Sequence, residues 1–164
     1  MGDPRRLKKK YKKPKHPYQK DRMMEELEYV GKYGLRNKRE FWKMRSILGE
    51  WRQTARYSRT LLPKKAQKVQ QTLLKKLTRL GVLSPESTFE DILQLTVEDV
   101  LKRRLQTFVF ENGMAKSIYH ARQLVVHKHI QVADKRINSP SYIVKKEEED
   151  LISFSPTSPF ATAT

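Results

Sequence analysis

The chain lacks cysteine entirely, and it has no long run of hydrophobic residues. The first absence excludes disulfide bonds, cysteine-ligated zinc and thiol catalysis. The second leaves no candidate for a membrane-spanning helix or for the apolar core of a signal peptide. Only 37% of the 164 residues are hydrophobic, so part of the chain is expected not to bury itself alone. We therefore expect a soluble, intracellular protein with no membrane partner.

Catalytic motifs are missing as well. The sequence has no G-x-G-x-x-G, P-loop, G-x-S-x-G or H-E-x-x-H pattern. Acidic pairs such as Glu98 and Asp99 stand at expected helix starts, where capping and the helix dipole explain them. His127 follows His120 by seven residues without a nearby carboxylate, which does not favour a metal site. The chain is therefore expected not to be an enzyme and to hold no metal or other cofactor.

Acidic residues are scarce in the N-terminal half. Residues 1–80 hold 25 Lys and Arg against 7 Asp and Glu, a net charge of +18. Residues 81–164 hold 10 against 11, a net charge of −1, so the total of +17 belongs to the first half. A segment this basic repels itself unless phosphates or anionic lipids neutralise it. The distribution predicts a polyanionic partner.

Residues 1–20 combine clustered cations with three prolines, which remove backbone donors. Because like charges also repel, the segment is predicted to be an extended arm without structure of its own. Tyr11, His16 and Tyr18 lie among the charges and are suited to stack on bases. A solubilising or targeting tail is the alternative, but the basic excess continues beyond residue 20. The arm residues predicted to bind RNA are Arg5, Arg6, Lys8, Lys9 and Lys10.

A small helical domain is predicted over residues 21–95. Asp21 is a candidate cap for a first helix through Val30, which Gly31 and Gly34 are expected to end, and Asn37 is a candidate cap for a second. The second and third helices each show one apolar stripe at steps of three and four, so they should pack as a hairpin. These stripes are Phe41, Met44, Leu48, Trp51 and Ala55, then Ala66, Val69, Leu73, Leu77 and Leu80 after Pro63.

The hairpin also carries many cations away from its apolar stripes. A solvated helix face is the ordinary explanation, but residues 41–80 contain only Glu50 as an acid, and a face balanced for solubility mixes both signs. Phosphate contact is therefore the preferred hypothesis. The residues predicted to bind RNA here are Arg36, Lys38, Arg39, Lys43, Arg45, Arg52, Arg56 and Arg59.

The remaining chain predicts a mixed α and β unit. Thr96 and Asp99 resemble a capping box for a helix that should run to Gly113. Arg104 lies on the apolar side of this helix, so its side chain is expected to extend along the surface and place the guanidinium at the rim of the buried face. Ser117 should begin another helix, whose polar face carries His120, Gln123 and His127 with Arg122 at the boundary. Strands are predicted at 130–132, at Ile137, at 142–144 and at 151–154, with 133–136 as a turn and 155–164 as a flexible tail.

Residues 101–154 closely resemble the alpha-L RNA-binding motif, the domain named after small-subunit ribosomal protein S-four. The matching segments are Arg103-Arg104-Leu105, Gly113-Met114-Ala115, Ala121-Arg122-Gln123-Leu124-Val125, His127-Lys128-His129-Ile130-Gln131-Val132 and Ser139-Pro140-Ser141-Tyr142-Ile143-Val144. The resemblance to the S-four family, in its archaeal branch, extends over Met1-Gly2-Asp3-Pro4, Lys32-Tyr33-Gly34-Leu35-Arg36-Asn37-Lys38-Arg39-Glu40 and Thr96-Val97-Glu98-Asp99-Val100-Leu101.

The resemblance implies an α+β chain. Its parts would be the arm at 1–20, the helical rRNA-binding domain at 21–95, an alpha-L domain at 96–154 and the tail at 155–164. The alpha-L domain would have two helices on a small antiparallel sheet. It implies a structural constituent of the cytoplasmic small ribosomal subunit. Such proteins bind rRNA early, nucleate assembly of the subunit body at a junction in the rRNA 5′ domain, and contribute to the mRNA entry channel and translational accuracy. The implied partners are small-subunit rRNA, neighbouring proteins, notably S-five, and mRNA at the entry channel.

Carried over by position, the RNA face of the motif would comprise Arg103, Arg104, Lys116, Ser117, Arg122, Gln123, His127 and Lys128, beside His120 of the polar face. Ile118 stands where many members of the family have arginine. Ala133-Asp134 replaces their common Asn-Gly turn, which predicts a longer or bulged hairpin.

Three other functions share the motif. An assembly factor would guide precursor rRNA and then leave, and co-sedimentation with mature small subunits distinguishes the two roles. An enzyme such as a pseudouridine synthase would need a further catalytic domain of well over about a hundred residues, for which the chain has no room. A stress-response binder of stalled ribosomal particles would not need the matching residues 1–100.

Overall fold

The structure, a computed structural model, describes residues 9–161, which form seven α-helices, one 3₁₀ helix and a three-stranded sheet. The helices are α1 (Lys20–Lys32), α2 (Lys38–Ser58), α3 (Pro63–Arg79), α4 (Asp91–Gln94), α5 (Val97–Lys102), α6 (Leu105–Glu111) and α7 (Ile118–Val126). The strands are β1 (Ile130–Val132), β2 (Lys135–Arg136) and β3 (Ile152–Phe154), and the 3₁₀ helix is Lys146–Leu151. The predicted α+β class is confirmed. Arg5, Arg6 and Lys8 lie outside the described residues.

The first helix differs from the prediction at both ends. It begins at Lys20 after Gln19, and Asp21 lies in its first turn instead of capping it. It also continues through Gly31 to Lys32, because a glycine inside a helix costs only about 1 kcal/mol. Gly34, with φ +55, is the residue that turns the chain. A left-handed backbone favours glycine there, so the break falls three residues later than the first glycine suggests.

The α2–α3 hairpin forms as the apolar spacing predicts. Asn37 caps α2, its side-chain oxygen accepting a hydrogen bond from the Glu40 backbone N–H at 3.3 Å, and Pro63 opens α3. The five predicted stripe residues of α2 are all buried. Leu73 and Leu77 of α3 are buried against the same core, while Ala66 is only partly covered. The hairpin prediction is therefore confirmed.

Two hydrophobic clusters divide the interior. The N-terminal cluster joins the α2 stripe to Leu77 of α3, Ile92 of α4 and Leu101 of α5. The C-terminal cluster packs Leu105 and Val109 of α6 on α7 and β1 and reaches Val144; its α7 and β1 members are Ala121, Leu124, Val125, Ile130 and Val132. The polypeptide passes from one cluster to the other at residues 101–105.

The single helix expected from Thr96 to Gly113 is wrong: the structure has two short helices with a break between them. Arg104 is extended, with φ −80 and ψ 141. The Leu105 N–H donates to the Tyr142 carbonyl at 2.8 Å, and the Val144 N–H donates to the Arg103 carbonyl at 2.9 Å. Residues 142–144, predicted as a full strand, are reduced to this short pairing. Hydrogen bonds to a distant segment thus outcompete the helical bonds that periodicity predicts.

The sheet has the order β2-β1-β3 and is antiparallel throughout. Val132 pairs with Lys135, so Ala133 and Asp134 alone make the turn, and Ala133 adopts φ 51. The expected longer or bulged hairpin is therefore wrong. Lys135 and Arg136, predicted to lie in a turn, instead form β2, because the tight turn brings them back onto β1.

The flexible tail predicted after residue 154 is wrong for residues 155–161. The Ser155 N–H donates to the His129 carbonyl at 2.8 Å, and Ser155 and Ser158 are buried. The prediction relied on two prolines and few apolar residues, but buried backbone hydrogen bonds hold this segment on the C-terminal cluster. No helix of residues 9–161 is long and apolar enough to span a membrane.

Gly34 and Gly31 provide a matched test of the turn after α1. A Cβ at Gly34 would lie 2.8 Å from Gln106 Nε2 and 3.0 Å from Ile118, on a backbone with φ +55, whereas one at Gly31 would meet nothing within 4 Å. We expect Gly34→Ala to lower the free energy of unfolding by about 1–3 kcal/mol. Gly31→Ala should raise it by about 0.5–1 kcal/mol. Denaturant unfolding measures both, and equal effects would contradict the assigned turn.

Candidate nucleic-acid interface

Glu40, in the first turn of α2, connects the helix that carries much of the N-terminal cluster to the elements of the C-terminal cluster. Its Oε2 accepts a hydrogen bond from Nη2 of Arg104 at 2.6 Å, and its Oε1 accepts one from Nη2 of Arg122 at 2.6 Å. Arg104 precedes α6 and Arg122 lies on α7. One carboxylate of the N-terminal half therefore binds two guanidinium groups of the C-terminal half.

Gln106 extends this contact. Its Nε2 donates to the carbonyls of Gly34 and Ile118, each at 3.0 Å, and its Oε1 accepts from Arg122 Nη1 at 3.3 Å. Gln106 is fully buried, so each of these bonds replaces one that water would otherwise make. We name Glu40, Arg104, Gln106, Arg122 and the Gly34 carbonyl the Glu40 joint.

The joint holds its charges in a largely dry environment. Burial alone would raise the pKa of the Glu40 carboxyl, but the hydrogen bonds from Arg122 and Arg104 outweigh it and hold that pKa below its ordinary value. Burial also lowers the pKa of Arg104, although Glu40 opposes the shift. The Nε and Nη1 of Arg104 are buried without a hydrogen-bond partner among the described residues. Glu40 is thus the main compensation for this buried cation.

The expected position of Arg104 at the rim is therefore wrong. Its side chain is 0% exposed and points into the protein, where it pairs with Glu40 of the distant helix α2. Arg122 stays 22% exposed but shares the same carboxylate. Arg103, the third predicted arginine of this region, also turns inward: it donates to the Val144 carbonyl at 3.1 Å, pairs with Glu149 and lies 4.7 Å above the Phe108 ring. These three arginines serve the fold directly.

Three cations of the helical half also have internal partners. Lys38 pairs with buried Glu26 at 3.5 Å, Arg52 donates to the Leu95 carbonyl, and Arg59 pairs with Glu90 at 3.3 Å. The last pair is largely exposed and therefore weak. None of the three contacts excludes RNA, but each reduces the freedom of the cation to move toward a phosphate.

The other predicted cations form an unneutralised set. Among the described residues, none of them has an acidic partner within ion-pair distance. This set, which we name the free cations, comprises Lys9, Lys10, Arg36, Arg39, Lys43, Arg45, Arg56, Lys116 and Lys128. They lie on the arm, on and beside α2, and at both ends of α7.

The arm is docked on α2 and is not a separate tail. It contains no helix or strand between residues 9 and 19, as predicted, but the Lys12 N–H donates to Ser46 Oγ at 3.0 Å. The Tyr11 ring packs against Trp42 at 6.1 Å, and Trp42 Nε1 donates to Glu26 at 2.9 Å. Tyr11 therefore uses its ring for packing on the protein, although Tyr18 remains 91% exposed.

An open groove of about 670 Å³ lies between the arm and α2. Its cationic lining comes from both sides, and among residues 9–161 Glu50 is its only acidic lining residue. Sequence reasoning missed its arm lysines beyond Lys10 as site residues, although their spacing beside prolines was a visible signal. The lining cations are Lys9, Lys10, Lys12, Lys13, Lys15, Arg22 and Arg45. A groove lined by this many cations is suited to bind a phosphodiester backbone.

The polar face of α7 is built by its cap. Ser117 Oγ accepts a hydrogen bond from the His120 N–H at 3.1 Å, so this predicted RNA ligand has a structural role at the helix start. The Lys116 N–H donates to Nδ1 of His120 at 3.3 Å, which orients the ring. Gln123 and His127 are exposed on the same helix. The face therefore offers oriented donors and acceptors.

Lys128 ends α7 in a conformation that glycine normally takes. Its φ is 63, its N–H donates to the Val125 carbonyl, and the next N–H, of His129, donates to the Leu124 carbonyl, each at 3.0 Å. This is the Schellman pattern of helix termination. A lysine there costs about 1 kcal/mol relative to glycine, so the chain retains a cation where the backbone disfavours one.

Sequence reasoning missed Glu40, Gln106 and Trp42. Glu40 looked like an ordinary acid in the first turn of a helix, and Gln106 and Trp42 carried no periodic signal. The one available indication was that the otherwise basic stretch from Lys32 to Gly49 keeps a single acid, Glu40. Among residues 9–161, no group of three or more potential ligands is placed to hold a metal ion.

Comparison with known proteins finds a matching family model for each of two successive parts of the chain. Residues 5–102 match the family model described as the ribosomal protein S4/S9 N-terminal domain, and residues 103–150 match the S4 domain. The chain is 51% identical to small ribosomal subunit protein uS4 of Hyperthermus butylicus, over 98% of this chain and 92% of that protein. It is 49% identical to uS4 of Ignicoccus hospitalis, with 98% and 96% covered, and 46% identical to uS4 of Methanothermobacter thermautotrophicus, with 97% and 93% covered.

The Glu40 joint predicts a large effect of one substitution. Glu40→Gln should lower the free energy of unfolding by about 3–5 kcal/mol, because it leaves the buried Arg104 without a counter-charge. The matched control is Glu90→Gln, which removes the exposed partner of Arg59 and should cost about 0–1 kcal/mol. Denaturant unfolding of the two variants measures the difference.

The wild-type protein and Glu40→Gln should also differ in how their stability changes at acidic pH. Because the pKa of Glu40 is lower in the folded than in the unfolded state, its contribution to stability is complete above its ordinary pKa of about 4.5. That contribution is lost as the pH falls through the lowered folded pKa. The wild-type protein should therefore lose stability more steeply in this range than Glu40→Gln. Identical pH profiles would exclude Glu40 as the charged centre of the joint.

Proposed function

The chain belongs to the family of small ribosomal subunit protein uS4, whose members are structural components of the small subunit and not enzymes, and we propose that it is a primary rRNA-binding protein that nucleates assembly of the subunit body. Its binding site would be a helical junction in the rRNA 5′ domain. The archaeal-type resemblance inferred from the residues is confirmed by these relatives, and their place in the small subunit gives this chain a cytoplasmic location.

One observation carries the proposal: the cations are divided into two sets with different surroundings. Arg103, Arg104 and Arg122 have acidic partners inside the protein, whereas the free cations have none among the described residues. An arrangement of this kind stabilises the protein and still presents net positive charge outward. Phosphates are the natural partner of the outward set.

The free cations lie on a framework that sets their spacing. Those of α2 and those at the ends of α7 belong to opposite halves of the chain, and the Glu40 joint connects these halves through α2 and α7 themselves. RNA duplexes hide their base edges in a deep, narrow groove, so proteins recognise them mainly by shape and backbone position. A fixed spacing of cations is suited to a junction, where several backbones converge in one geometry.

The division of labour within the chain follows from the same argument. We propose that the arm, the α2 face and the groove between them supply most of the phosphate neutralisation, because +18 of the net charge lies in residues 1–80. The alpha-L domain at 96–154 would orient the protein through its α7 face. The division at residues 95 and 96 stays a proposal, because the N-terminal cluster also includes Val100 and Leu101 of α5, while the C-terminal cluster begins at Leu105.

Further partners follow from the family alone. We propose contacts with the neighbouring protein S-five and with mRNA at the entry channel, and through them a contribution to translational accuracy. These contacts need a surface that rRNA leaves uncovered, and exposed apolar residues such as Tyr57 and Leu62 at the end of the α2–α3 hairpin are compatible with a protein neighbour.

The residence of the protein in mature subunits is the first test. The protein should co-sediment with mature small subunits through a sucrose gradient and should remain with them in moderate salt. A protein found only with precursor particles would be an assembly factor instead. Crosslinking in isolated small subunits, read out by nucleotide, should place the contacts around one junction of the 5′ domain; contacts scattered along the rRNA would contradict the proposed site.

The arm should account for a measurable share of the salt dependence. Replacing Lys10, Lys12, Lys13 and Lys15 with Gln should reduce the slope of log K against log salt by about 0.7–0.9 for each phosphate that the protein no longer neutralises. The matched control removes the same charge from exposed positions of α3, with Lys64, Lys65, Lys68 and Lys76 changed to Gln. Filter binding to the 5′ domain RNA at several salt concentrations measures both slopes. Equal reductions would mean that total charge, and not the groove, sets the affinity.

A further inference from the structure

The segment after β3 places an aromatic ring beside the polar face of α7. The Phe160 ring lies 5.2 Å from the His129 ring at an interplanar angle of 84°, and 6.2 Å from the His120 ring at 76°. It also lies 6.3 Å from the Phe154 ring. Four rings from three parts of the chain therefore meet at one place on the surface.

Hydrogen bonds hold this segment in position. Ser158 Oγ accepts from the Phe160 N–H at 3.2 Å and lies 3.1 Å from Nδ1 of His129, to which its own hydroxyl can donate. Ser158 is only 5% exposed, and Ser155, which donates to the His129 carbonyl, is 0% exposed. A segment tied down by buried bonds on both sides is part of the fold and not a removable cover.

The ring nevertheless keeps an open surface. Its contacts with the two histidines are edge-to-face, and Phe160 remains 38% exposed. His120 is oriented by the Lys116 N–H, and the exposed side chains of Gln123 and Lys128 belong to the same helix and its end. A partly exposed apolar ring beside an oriented imidazole matches the chemistry of an unpaired nucleotide, whose base stacks on aromatic side chains.

We propose that Phe160 and His120 form a stacking site for one unpaired base of rRNA. The inference rests on the proposed rRNA-binding function and adds to it a contact of a different kind. The free cations would bind phosphates, and they would do so in any RNA of suitable shape. A stacking site responds only to a base that has left its helix, as bases at junctions and bulges do. The C-terminal segment would thus help to distinguish a junction from a continuous duplex.

The test compares two RNA probes. The first is the 5′ domain junction with 2-aminopurine at each unpaired adenine in turn, and the second is a fully paired RNA duplex of equal length. Phe160→Ala should weaken junction binding about 5- to 100-fold and leave duplex binding unchanged. Phe160→Leu keeps apolar packing against His129 but removes the π face, so it should weaken junction binding to the same extent. Phe160→Trp should restore binding and the quenching of one 2-aminopurine position.

Phe110 provides the matched control, since it is an aromatic residue on α6 with a similar exposure of 42%. Phe110→Ala should bind both probes as the wild-type protein does, and thermal unfolding should show that all four variants are folded. Unchanged junction binding by Phe160→Leu, or equal weakening on both probes, would overturn the stacking site. Tighter binding by Phe160→Ala would show that the ring blocks RNA, which also overturns it. If the wild-type protein prefers neither the junction nor any rRNA fragment, the proposed function itself fails.

Discussion

The charge balance at Glu40 is the constraint on which the rest of the structure depends. Arg104 is fully buried, and a buried guanidinium without a counter-charge would destabilise the protein by several kcal/mol. The counter-charge comes from a helix that begins 66 residues earlier in the chain, at Lys38. Since the same carboxylate also binds Arg122, the α2 helix, the break between α5 and α6, and the α7 helix share one centre. The Glu40 joint thus provides a polar contact between elements that belong to the two hydrophobic clusters.

This arrangement explains how so basic a chain folds. Glu40 neutralises Arg104 and Arg122 together, and Glu149 pairs with Arg103. Glu26 performs a related role between α1 and α2, where it accepts from Trp42 and pairs with Lys38. The acids of the N-terminal half are few, but two of the most buried are at positions where helices meet. The free cations have no acidic partner among the described residues, so folding and the proposed RNA binding use different members of the same residue type.

Local signals predicted much of this fold because they act over a few residues. The stripe of α2, the Asn37 cap and the Pro63 start of α3 depend only on spacing and backbone donors, and each is confirmed. The predictions were wrong where hydrogen bonds to a distant segment determine the local structure. The helix expected to run from Thr96 to Gly113 breaks because the Tyr142 carbonyl accepts from the Leu105 N–H and the Val144 N–H donates to the Arg103 carbonyl. The segment after residue 154 is ordered because His129 accepts its first N–H. In each case the hydrogen-bond partner lies far away in the sequence, so local patterns do not indicate it.

The amino-acid sequence by itself determined the helical stripes, the basic first half, the absence of thiol chemistry and the family, because these depend on composition, local period and residue order. Only the tertiary structure decided which cations are paired with acidic side chains of the protein. Arg103, Arg104 and Lys116 have equal formal charge, yet the first two have acidic partners from other elements, while Lys116 is exposed and has none among the described residues. The physical reason is that a charge is neutralised by whatever lies within a few ångströms in space, and sequence distance does not report that separation.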